Sequence, residues 1–117
     1  MPLYLKLDSK MWVQGDFTTS NTYDISGTVY DDARFATTRD ISSFTPTLQF
    51  IDYDGSVVYS TTTGLTNTGS VGIILIKFSQ DNSPYLNGFY KTRLMLESSG
   101  NRITCIGVNG SDDMFFD

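Results

Sequence analysis

The sequence predicts an all-β fold built as a β-sandwich, and three observations carry that reading. Val, Ile, Thr, Phe, Tyr and Trp supply 45 of the 117 residues, while Ala, Glu, Lys, Gln and Arg together supply only 14. β-Branched and aromatic side chains fit a pleated surface and lose rotamer freedom on a helix, which rules out a helical bundle. Short apolar runs with period-2 alternation then recur between turn signals, giving about seven to eight antiparallel strands. Finally, 39% hydrophobic residues suffice for one small core, so a single domain over 1–117 is expected.

The strands follow in order. Leu3, Leu5 and Leu7 alternate with Tyr4, Lys6 and Asp8, the mark of a strand with one buried face. Met11-Trp12-Val13 is a second short run. From Thr22 to Tyr30, Tyr23, Ile25, Gly27 and Val29 share one face, with Gly27 marking a bulge or a close backbone approach. Residues 31–46 are irregular, anchored by Ile41 and Phe44. Thr47–Ile51 and Ser56–Tyr59 flank Asp54-Gly55, a dipeptide suited to the positive φ of a hairpin turn. Residues 60–70 read as a solvated loop or weak edge strand, and Val71–Phe78 as a strand apolar at nearly every position. Pro84 lies in a turn region, because proline cannot donate to a ladder. Phe89–Glu97 places Tyr90, Thr92, Leu94 and Leu96 on one face, and Arg102–Val108 is the last strand.

Composition also limits the chemistry. The chain has no His and one Cys, Cys105, and Glu97 is its only Glu. Histidine triads, His/Cys zinc sites and an internal disulfide therefore cannot form within one chain. Cys105 reads as a small buried apolar residue, with no imidazole to activate it. A net charge of −5 opposes nucleic-acid binding, which needs basic patches. No window resembles a signal peptide or a membrane span, so a chain made in a reducing compartment is expected. Asp52-x-Asp54-Gly55 has a calcium-loop flavour, but the ligand series of an EF-hand is missing and the residues read as turn formers. The expectation is no enzyme, no metal and no cofactor.

Two segments carry surplus apolar surface. In 71–78, Val71, Ile73 and Leu75 face one way while Ile74, Ile76 and Phe78 face the other. Met114, Phe115 and Phe116 form an apolar tail. Ile74, Ile76, Phe78, Met114, Phe115 and Phe116 are therefore the expected assembly interface, with 1–9 and 109–117 as docking segments. Tyr4, Trp12, Tyr53, Tyr59 and Tyr85 could instead line a sugar-binding face, although Trp12 suits a core. Gly88-x-Tyr90 suggests a tyrosine corner, with the ring buried and its hydroxyl bonded to nearby backbone.

The order of these signals resembles the immunoglobulin-like N-terminal domain of phage baseplate upper proteins, over roughly residues 10–108 of the chain. The matching pieces are Gln14-Gly15-Asp16-Phe17-Thr18, Gly27-Thr28-Val29-Tyr30-Asp31-Asp32 and Asp40-Ile41-Ser42. The hairpin Phe50–Val58 around Asp54-Gly55 follows, then Gly88-Phe89-Tyr90 through Ser99-Gly100-Asn101. The loop 31–46 is longer and more charged than that pattern. The resemblance implies a non-enzymatic virion protein of the tail or baseplate, synthesised in the bacterial host cytoplasm. Its partners would be other virion proteins and copies of itself. A capsid decoration protein is the alternative, and a carbohydrate-binding module for host attachment is the alternative of another class.

Overall fold

The computed structural model describes residues 2–13, 23–67, 72–78 and 86–117. Among them the chain is all-β, with ten strands rather than seven or eight. They are β1 (Tyr4–Leu7), β2 (Met11–Trp12), β3 (Ile25–Tyr30), β4 (Thr45–Ile51), β5 (Val57–Thr61), β6 (Leu65–Asn67), β7 (Ile73–Ile76), β8 (Gly88–Ser98), β9 (Asn101–Thr104) and β10 (Asp113–Phe116). One sheet has the order β1-β3-β7-β6, and the other β2-β10-β8-β4-β5 with β9 also on β8. The two strands added to the count are β6, an edge strand in the stretch read as a loop or weak edge strand, and β10, inside an apparent tail.

The alternation read from sequence sets which side chains meet. Leu5 and Leu7 stand opposite Val29 and Gly27, and Ile25 and Gly27 stand opposite Ile76 and Ile74. In the larger sheet Leu48 and Phe50 stand opposite Leu94 and Thr92. Side chains from both sheets join one core that includes Trp12, Phe50, Phe78 and Phe116. Trp12 packs edge-on against Phe78 at 4.9 Å between ring centroids. Gly27 is a close approach and its pairing runs without a register shift: a Cβ there would stand 3.0 Å from Leu5 Cδ1.

The Asp54-Gly55 hairpin joins β4 to β5, with Gly55 at a φ of 91°. Its tip is held by Asp52, whose Oδ1 accepts from the Asp54 and Ser56 amides at 3.1 Å each. A register shift between Phe50 and Ile51 adjusts the strands to this loop. In the segment 31–46, Asp32 accepts from the Ala36 and Thr37 amides, and β4 begins already at Thr45. Ile41 is fully buried, and the Asn67 side chain donates to the carbonyls of Ile41 and Phe44.

Two expectations are corrected here. Not every pairing is antiparallel, because β10 runs parallel to β2, Phe115 opposite Met11 and Phe116 opposite Trp12. The last expected strand, 102–108, stops at Thr104. Beyond it the chain crosses to the other sheet, where Ile106 donates to the Leu3 carbonyl at 2.8 Å and accepts from the Leu5 amide at 3.0 Å. Ser111 completes the seam: its buried Oγ donates to the Leu5 carbonyl at 2.6 Å. Gln14–Thr18, Thr22, Val71, Pro84 and Tyr85 lie outside the described residues.

Candidate binding face on the larger sheet

Strand parity builds this face. On β8, Thr92, Leu94 and Leu96 are buried, so Phe89, Lys91, Arg93 and Met95 point away from the core. Phe115 stands opposite both Phe89 on β8 and Met11 on β2. The three therefore form one row across three adjacent strands. Met11 is 56% exposed and Phe89 58% exposed, and the Phe89 and Phe115 rings are 4.7 Å apart. Val13, two residues beyond Met11, is exposed as well. One step along the sheet, Asp113 stands opposite Lys91. Lys91 Nζ lies 2.5 Å from Asp113 Oδ1 and 3.5 Å from Asp112 Oδ1. The bond to Asp113 comes first among the causes that raise the Lys91 pKa above its ordinary value, so a firmly charged pair borders the apolar row.

Past Lys91 the same face carries a groove of about 340 Å³. Tyr53 from the hairpin tip, Lys91 and Arg93 from β8, Thr104 from β9 and Asp112 line it. Arg93 donates to Gln49 Oε1 at 3.3 Å. Cys105 also lines the groove, yet only 6% of its surface is exposed. Burial pushes its thiol up to about 12, which leaves it protonated and a poor nucleophile near neutrality.

The expected interface residues separate into two groups. Ile74, Ile76, Phe78, Met114 and Phe116 are at most 1% exposed. They are core residues of this chain and offer no docking surface. The expectation took the wrong one of two faces as outward: β7 sends Ile74 and Ile76 inward, and its other face is half-buried at Ile73 and Leu75. Phe115 alone of the six reaches the outer face, half-buried against Phe89. The proposed docking segments are likewise built into the body, through β1 paired with β3 and β10 set between β2 and β8.

The aromatics proposed for a sugar face are dispersed. Trp12 is in the core, Tyr59 packs against Phe50 and Phe78, and Tyr4 sits on the other sheet. Among the described ones Tyr53 is the exposed one, at 76%. Tyr90 donates its hydroxyl to the Asn87 carbonyl at 3.0 Å, with the ring half-buried and edge-on to Phe116. Gly88 opens the strand at a φ of 105°. No group of three or more His, Cys, Asp or Glu side chains among the described residues could hold a metal ion. No helix among them is long and apolar enough to cross a membrane. Comparison with protein-family models, with curated proteins and with solved structures found no match.

Met11 and Phe89 were missed in the sequence. The outward direction of Phe89 follows from the parity of Tyr90, Thr92 and Leu94. Its alignment with Met11 depends on the parallel β2–β10 pair, which no local pattern announces.

Proposed function

We propose that this chain is a non-enzymatic structural protein of a phage virion, of the tail or baseplate, that acts by docking on other proteins of the particle. In this reading the two sheets and their shared core make an immunoglobulin-like β-sandwich. The observation that carries the docking is the outward row Met11, Phe115 and Phe89, exposed at Met11 and Phe89. Single exposed apolar residues are ordinary on a protein surface, whereas a contiguous set rimmed by charge suits a protein contact. The virion location rests on the sequence resemblance.

The test is to compare particles produced with the wild-type chain and with a Met11→Lys/Phe89→Lys variant. Both side chains are more than half exposed, so the variant is expected to fold and melt like the wild type. Burying a large apolar side chain contributes roughly 1.5–3 kcal/mol, so losing two should lower incorporation by about tenfold or more. Absence of the wild-type chain from purified particles would overturn the virion reading. Wild-type incorporation of the variant would overturn the row as the docking surface. Recovery with the capsid fraction, not the tail, would favour a decoration protein.

A further inference from the structure

We propose that the groove beside the docking row binds a neutral sugar, with Tyr53 as the stacking platform. The proposal stands independently of the docking role. Three observations carry it.

The first is Tyr53 itself. Turn chemistry at a hairpin tip calls for Asp, Asn and Gly, and it gives no reason for a large ring that is 76% exposed. The tip is also pre-organised. Asp52 accepts from the Asp54 and Ser56 amides, the Asp52 amide donates to the Ser56 carbonyl at 3.0 Å, and Asp54 accepts from the Ser56 amide at 2.8 Å. These bonds fix the backbone that carries the Tyr53 ring, so less main-chain freedom is lost when a ligand stacks on it.

The second is the shape. A volume of about 340 Å³ lies at the small end of the range for small-molecule sites, roughly 300–1,000 Å³. That size suits one or two sugar rings better than a peptide or a nucleic acid.

The third is the charge balance, which decides the ligand class. Lys91 and Arg93 are set against Asp52 and Asp112 around the same groove. An anion would face two carboxylates, and a cation would face an ammonium and a guanidinium. Vicinal hydroxyls suit both signs, because each can donate to Asp112 and accept from Arg93. A guanidinium has five donors in a fixed fork, and Arg93 directs one of its nitrogens to Gln49. Thr104 adds an exposed hydroxyl at the rim.

The experiment is an amide-resolved NMR titration of the full chain with glucose, galactose, mannose and N-acetylglucosamine. At least one sugar should shift the amides of Tyr53, Gly55, Arg93 and Thr104 as a group. Tyr53→Ala should weaken that binding by about tenfold, as removal of a stacking surface does, and Tyr53→Phe should retain it. The exposed tip position lets both variants fold, which the unchanged remainder of the spectrum verifies. The proposal is overturned if none of the four sugars shifts these amides, if the shifts fall elsewhere, or if Tyr53→Ala binds like the wild type.

Discussion

A Cβ on Gly107 would fall 2.0 Å from the Asp112 carboxyl carbon, so the two residues share a space that only glycine leaves open. That contact shapes the crossing between the sheets. Asp112 reaches Lys91 with its side chain and accepts from the Thr92 amide at 2.8 Å with its carbonyl.

Gly107→Ala should therefore destabilise the fold by about 1–3 kcal/mol, the usual cost of overpacking. Adding Asp112→Ala removes the clashing carboxyl and should recover part of that loss. Denaturant melts of the two single variants and the double variant check this, and strict additivity would mean that the two side chains do not compete.

Phe116 and Phe89 lie on opposite faces of the larger sheet, and their substitutions should separate sharply. Phe116 is fully buried against Trp12, Phe50 and Tyr90. Phe116→Ala should cost about 3–5 kcal/mol. Phe89→Ala, on the exposed partner of Phe115, should stay within about 1 kcal/mol. Equal effects in thermal melts would contradict the strand parity of β8 and β10.

Thr92 is 2% exposed, and among the described residues its Oγ1 has no hydrogen-bond partner. Valine keeps the branched shape and deletes the orphan hydroxyl. Thr92→Val should be neutral or stabilising by about 1 kcal/mol. A clear loss of stability in urea would show that the hydroxyl is satisfied.

The raised Cys105 pKa gives a prediction with a definite sign. The thiol titrates near 9.0 in its ordinary state and at about 12 in the fold. Between those values the unfolded chain loses a proton that the folded chain keeps, so this group contributes stability below pH 9 that is lost as pH rises toward 12. Cys105→Ala should flatten the decline of stability in that range. A thiol reagent at pH 8 should react with the native protein only as fast as it opens. Rapid stoichiometric labelling would show that the thiol is accessible.

Much of the fold was legible because it rests on local pattern. Leu3, Leu5 and Leu7, the Asp54-Gly55 turn, and the faces of β3 and β8 all follow from side chains alternating along a strand. What escaped depends on distant pairing. β6 consists of Leu65, Thr66 and Asn67, so short and polar that its stretch reads equally as loop or weak edge strand, and its pairing with β7 decides for the strand. β10 resembles a loose end until its hydrogen bonds to both β2 and β8 are known. The same gap misplaced the candidate site. Val71–Phe78 looked too apolar for one buried face, but its inward residues fill a core that both sheets share. The outward row takes one residue from each of three strands, so no single stretch of sequence contains it.

The place of β10 governs when the fold can form. It sits between β2 and β8, and it joins Met11 to Phe115, residues from opposite ends of the described chain. Such a pairing closes a very long loop, and an entropic cost of that kind slows folding. During synthesis the larger sheet stays open along β8 until Phe116 has left the ribosome. Until then Trp12 and Phe50 lack a ring that they pack against in the finished core. Meanwhile Phe78 and Tyr59 cover those aromatics only in part, and that interval is when the nascent chain is most exposed to aggregation.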